Sequence, residues 1–96
     1  MGEQALNMLR AALDAFTSKD PAAARSVIRQ DAELNSLYNS LFRDLIELMV
    51  SEPTTATRAA RMLFIAKHLE RIGDYAKDIS ELTVYVAEAA IIKHIH

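Results

Sequence analysis

The chain contains no cysteine and no tryptophan, only two glycines and two prolines, and no long apolar run. Without cysteine it has no disulfide, no thiolate metal ligand and no thiol nucleophile, which suits a reducing compartment. Gly2 and Gly73 stand alone, so no glycine-rich loop is available to cradle a phosphate. Pro21 and Pro53 are the only strong helix breakers, and their scarcity favours long helices. Neither sign of charge dominates: 11 basic against 13 acidic residues leave a net charge of -2. Such a balance gives no basic footprint for nucleic acid and no polybasic attraction to a membrane. No segment is apolar for long enough to span a bilayer. The opening MGEQALNMLR lacks the basic head and apolar run of a signal peptide. The expected location is therefore the cytoplasm, with peripheral membrane contact at most.

What is present is a helix former's sequence. The 96 residues are 51% apolar and 25% charged, the balance of a single folded domain. Leu6, Leu9, Leu13 and Phe16 recur at steps of three and four, which predicts an amphipathic helix over 3–18. Asp20 then offers a cap and Pro21 suits the first turn of a second helix. That helix is predicted over 21–50, with a stripe reading Ala24, Val27, Asp31, Leu34, Tyr38, Leu41, Leu45 and Leu48. Asp31 is a carboxylate within an apolar seam, and Asn35 lies one turn later on nearly the same face. Pro53 ends the second helix, with Ser51 or Thr54 as caps for a third over 54–91. Its stripe is Met62, Ile65, Leu69, Ile72, Ala76 and Ile79, with Val86 and Ala90 beyond.

Three helices joined by short connections predict an all-α, antiparallel three-helix bundle occupying residues 1–96. At 1.5 Å per residue the helices span about 25, 45 and 55 Å. The first therefore covers only part of the second. Leu41, Leu45, Leu48, Met62 and Ile65 then lack a third wall, and apolar rows of that extent are rarely left in water. A second copy of the chain, or a neighbouring repeat, is expected to cover them.

The residues that carry chemistry lie in the hairpin of the second and third helices. With the turn centred near Glu52 and Pro53, Asn35 falls opposite Glu70 and Asp31 opposite Asp74. Three carboxylates and an amide would converge, with Asp78 one turn further along. Clustered carboxylates repel and bind either protons or a hard cation such as magnesium, calcium, manganese or iron. The plainer alternative pairs Glu70 and Asp74 with Arg71, Lys77 or Arg29 on a solvated face. Against it stands the cost of an unpaired charge at Asp31. Enzyme chemistry finds no support: no Glu-x-x-His pair of the di-iron bundles occurs. His68 reads as a surface or seam residue, and His94 and His96 in the tail receive no role. Gly73 reads as a point of close helix packing. Tyr38, Tyr75 and Tyr85 read as core-edge residues with wet hydroxyls.

The segment LFIAKHLERIGDYAKDISE, from Leu63 to Glu81, closely resembles the third-helix signature of the PhoU family. DAELNSLYNSLFRDL resembles that family's second helix, and Phe16 to Pro21 its entry to that helix. The resemblance covers nearly the whole chain and is most specific at Leu69–Asp74. It implies a non-enzymatic regulator of phosphate uptake and phosphate signalling. The expected partners are the ATPase of the phosphate-specific ABC transporter and a phosphate sensor histidine kinase. It also implies E/D-x-x-x-D motifs that bind metal ions, with iron, zinc, magnesium and manganese the candidates. Glu70 to Asp74 matches that motif in full. Asp31 to Asn35 matches in part, because its second acidic position is an amide. Asp78 replaces a common Asn, and Tyr75 a common His. The family usually holds two three-helix repeats where this chain has one. A plain helical docking module without metal is the competing expectation.

Overall fold

The computed structural model describes residues 1–95, and side chains over 1–90. Three helices follow one another: α1 (Gly2–Ser18), α2 (Pro21–Ser51) and α3 (Ala56–Ile95). They form an antiparallel bundle 64 × 16 × 13 Å, with no strand among the described residues. None of these helices is long and apolar enough to cross a membrane. The side chains of His94 and His96 lie outside the described residues.

The connections follow from local chemistry. Lys19 takes the left-handed conformation (φ 55°, ψ 46°) that ends α1, and its N–H bonds back to the carbonyls of Ala15 and Phe16. Asp20 then accepts from the N–H of Ala23 at 3.1 Å, and Pro21 opens α2 where no N–H donor is needed. At the other end Pro53–Thr55 forms a single 3-10 turn before α3 begins. The expected caps do not form there. The Ser51 hydroxyl donates to the carbonyl of Leu48, and the Thr55 hydroxyl to the carbonyl of Glu52.

The core is lined by small residues rather than by the leucine stripe. Ala5, Met8, Ala12 and Ala15 are the buried residues of α1, whereas Leu6, Leu13 and Phe16 each remain 48% exposed. On α3 the buried face is Ala59, Ala66, Gly73 and Ser80, spaced seven apart, joined by Ala76 and Thr83. Met62 and Ile65, expected to lack a third wall, are exposed, and Val86, expected on the apolar stripe, is exposed too. Bulky residues dominate a periodicity argument, but small ones let helix backbones approach, and here the approach axis runs through the alanines. The larger side chains are displaced to the flanks. On α2 the stripe residues Ala24, Val27, Asp31 and Leu34 are buried; Leu48 is exposed, as expected without a third wall, whereas Leu45, expected to share that exposure, is covered. Tyr38 is half-buried, but Tyr75 and Tyr85 stand in solvent rather than at the core edge.

Gly73 marks the tightest crossing. A methyl group there would overlap Cδ2 of Leu34 and sit 3.6 Å from Oδ1 of Asp31. Leu34 is fully buried and has little room to yield. Alanine would gain about 1 kcal/mol in helix propensity but lose about 1–3 kcal/mol to overpacking. We expect Gly73→Ala to lower the thermal midpoint, measured by circular dichroism, and Leu34→Ala in the same chain to cost less than it does alone. A raised midpoint in the single variant would show the crossing to be loose.

Candidate functional site

The groove between α2 and α3 holds the charged residues singled out in the sequence. Gly73 lies against both Leu34 and Asp31, and the Lys77 ammonium also approaches Asp31. Asp31 is 4% exposed. Its Oδ2 accepts from the Asn35 amide nitrogen at 3.1 Å and lies 3.9 Å from the Lys77 ammonium. Its Oδ1 is buried with no hydrogen-bond partner. An unpartnered buried carboxylate oxygen is costly, so this atom marks where the groove has an unfilled demand for positive charge or a donor.

Glu70 has a different partner from any expected. Lys67, one turn earlier on α3, donates to its Oε1 at 2.6 Å. That contact, then the charge of Glu70, raises the Lys67 pKa above its ordinary value. The same ammonium stands 5.4 Å over the ring of Tyr38, so it bridges the acidic groove to an aromatic on α2. The i, i+3 spacing of Lys67 and Glu70 is a readable signal in the sequence. Lys77 shares its charge between Asp31 and Glu81, each at 3.9 Å.

Asp74 carries the cost of the crowding. Its carboxyl pKa is raised above 3.8, first by desolvation, then by the charges of Asp31 and Glu70, with Lys67 opposing and Asp78 adding least. Asp78 itself is exposed at the outer edge. Asp31 is thus bonded to Asn35, Asp74 senses the charges of both Asp31 and Glu70, and Lys67 and Lys77 stand among them.

Among the described residues, no group of three or more His, Cys, Asp or Glu is placed to hold a metal ion. The donor chemistry still suits one hard cation: oxygen ligands only, and the Asp31 oxygen without a partner. Asp31 and Asp74 would be the two carboxylates beside such an ion, while Glu70 is engaged by Lys67. The set does not suit a multinuclear cluster, because Asn35 supplies no bridging carboxylate. A bound cation would supply charge neutralisation and nothing more.

A raised carboxyl pKa in the folded state means that Asp74 favours the fold when protonated. Its contribution is fully present below pH 3.8 and is lost as pH rises through its elevated folded value. We therefore expect Asp74→Asn to raise the thermal midpoint at pH 7. The advantage should shrink as pH falls and vanish near pH 3.8, where the native carboxyl is also neutral. A constant difference between pH 3 and pH 7 would locate the effect elsewhere.

The PhoU domain family model matches residues 1–83. The phosphate-specific transport system accessory protein PhoU homolog of Rhizobium meliloti is 40% identical over 94% of this chain and 38% of its own. The homolog of the same name from Zymomonas mobilis is 41% identical over 91% of this chain and 37% of its own. The crystal structure of PhoU from Pseudomonas aeruginosa superposes with a TM-score of 0.88 at 33% identity, covering 91% of this chain and 42% of that one. The chain thus spans under two fifths of the length of the curated relatives cited here.

Proposed function

Since this chain belongs to the PhoU family, we propose that it restrains phosphate uptake and relays phosphate status. It would act by protein contacts at the cytoplasmic face of the membrane. The partners in this reading are the ATPase of the phosphate-specific ABC transporter and a phosphate sensor histidine kinase, met by a self-associated form of the chain. The observation that carries it is the match to accessory proteins of phosphate transport over more than nine tenths of this chain. Support also comes from the site itself. It has charged and apolar surfaces for docking, and neither the sequence nor the groove offers a nucleophile with an adjacent base.

The groove has a place in the same reading. A hard cation (magnesium, manganese, iron or zinc) held by Asp31 and Asp74, with Glu70 and Asn35 beside it and Asp78 at the edge, would offset the like charges of Asp31 and Glu70 around Asp74. A second reading keeps the docking role and omits the metal. It is favoured by Lys67 at 2.6 Å from Glu70 and Lys77 at 3.9 Å from Asp31, internal cations that already offset much of the charge.

The role is tested in a strain deleted for its own phosphate-transport accessory protein and expressing this chain. We expect phosphate uptake and the output of a phosphate-starvation reporter to fall well below those of the deletion. Unchanged values with folded chain present would show that this unit does not regulate by itself. The metal is tested separately by thermal shift. A ligand present at a hundred times its dissociation constant stabilises by about 2.7 kcal/mol. Asn35→Asp should enlarge the shift produced by millimolar manganese, and Asp31→Asn should abolish it. No shift in any of the three proteins would leave the metal-free docking reading standing.

A further inference from the structure

Lys77 is held by two carboxylates and tightly by neither. Its ammonium lies 3.9 Å from Oδ2 of Asp31 on α2 and 3.9 Å from Oε1 of Glu81, one turn later on α3. Lys67 and Glu70 stand at 2.6 Å, and Arg25 and Glu88 at 2.9 Å. The two partners of Lys77 differ in their surroundings. The Asp31 side chain is 5% exposed and the Glu81 side chain 54%. Lys77 spans the boundary between them, from the inside of the groove to its rim. An ammonium on a flexible four-carbon stem, with three rotatable donors, moves between such partners at little cost.

Coulomb attraction decides where it rests. A buried carboxylate is screened less than an exposed one, so Asp31 is the stronger of the two attractors. Lys77 does not complete the compensation there. Oδ1 of Asp31 is buried without a partner, and Asp74 has its carboxyl pKa raised by desolvation and by the charges of Asp31 and Glu70. A hard cation beside Asp31 and Asp74 supplies the missing charge, and any such charge repels an ammonium resting on Asp31. The withdrawal site is already in place, because Glu81 lies four residues after Lys77 on the same helix face.

We propose that Lys77 is a two-position counter-ion, leaning on Asp31 when the groove holds no metal ion and on Glu81 when it holds one. The inference rests on the cation reading above and deepens it. Lys77 competes with the ion, so it keeps the site weaker than its carboxylates alone would make it. Its move also carries occupancy outward. Without the ion, Glu81 presents its charge to solvent; with the ion, Lys77 neutralises it. Glu88, seven residues further along α3, is already tied to Arg25. Glu81 is thus where the rim of the groove changes charge, at a position open to a basic partner segment.

The experiment is calorimetric titration of the full chain with manganese chloride at fixed salt. It compares the native protein with Lys77→Met, Glu81→Gln and the double variant, each checked for helicity by circular dichroism. We expect Lys77→Met to bind manganese about tenfold more tightly, because a competing charge is gone. Glu81→Gln should bind it about fourfold more weakly, because Lys77 loses the place to which it withdraws. The double variant should match Lys77→Met, since Glu81 then has no ammonium to receive. Plain attraction across space would instead make Glu81→Gln cost the same with or without Lys77. A Glu81→Gln loss that persists at full size in the Lys77→Met background therefore overturns the proposal. Equal manganese affinity in the native protein and Lys77→Met overturns it too, and leaves the cation reading intact. No manganese bound by any of the four proteins overturns the cation reading and the proposal together.

Discussion

The close approach of α3 to α2 at Gly73 and Leu34 is the constraint on which the rest depends. A helix crossing with no Cβ at its contact point lets the backbones come together, and the alanines and Ser80 spaced at sevens extend that approach along α3. Two consequences follow. The carboxylate of Asp31 is enclosed beside Gly73, where water does not reach Oδ1. The bulky residues of α1 and α3 are turned to the flanks, because a small-residue interface leaves no room for them at its centre.

The electrostatics of the groove are a consequence of that enclosure. A carboxylate taken out of water needs either a proton, a cation or strong donors. The chain supplies an amide from Asn35 and a distant ammonium from Lys77 to one oxygen of Asp31, and neither to the other. Lys67 is closer to Glu70 than Lys77 is to Asp31, so positive charge is concentrated at one end of the groove. Asp74, between Asp31 and Glu70, carries the remaining repulsion as a raised pKa. The groove is thus compensated locally but not evenly. In our proposal the deficit near Asp31 and Asp74 is what a hard cation would fill.

The two long surfaces of the molecule therefore differ in character. One flank of α3 is acidic with interleaved lysines and faces α2. The opposite flank, beside α1, is an apolar row bordered by one arginine and one aspartate. A surface of the first kind sets charge recognition and on-rate, and one of the second kind supplies burial.

Much of this was legible in the sequence. Period, proline placement and the Asp20 cap locate the three helices, because these depend on neighbours along the chain. The resemblance at Leu69–Asp74 carries the family. The groove was legible as a set: Asp31, Asn35, Glu70 and Asp74 lie on two i, i+4 steps whichever way the hairpin turns. What only the tertiary structure decided was which face of each helix turns inward, and the register across the hairpin. Apolar residues line two faces of α1 and of α3, and nothing local distinguishes them. The choice falls to the face of small residues because it permits the closer approach, a property of two backbones together. The lysine partners divide in the same way: Lys77 approaches Asp31 across two helices, whereas Lys67 was already within reach of Glu70 along one.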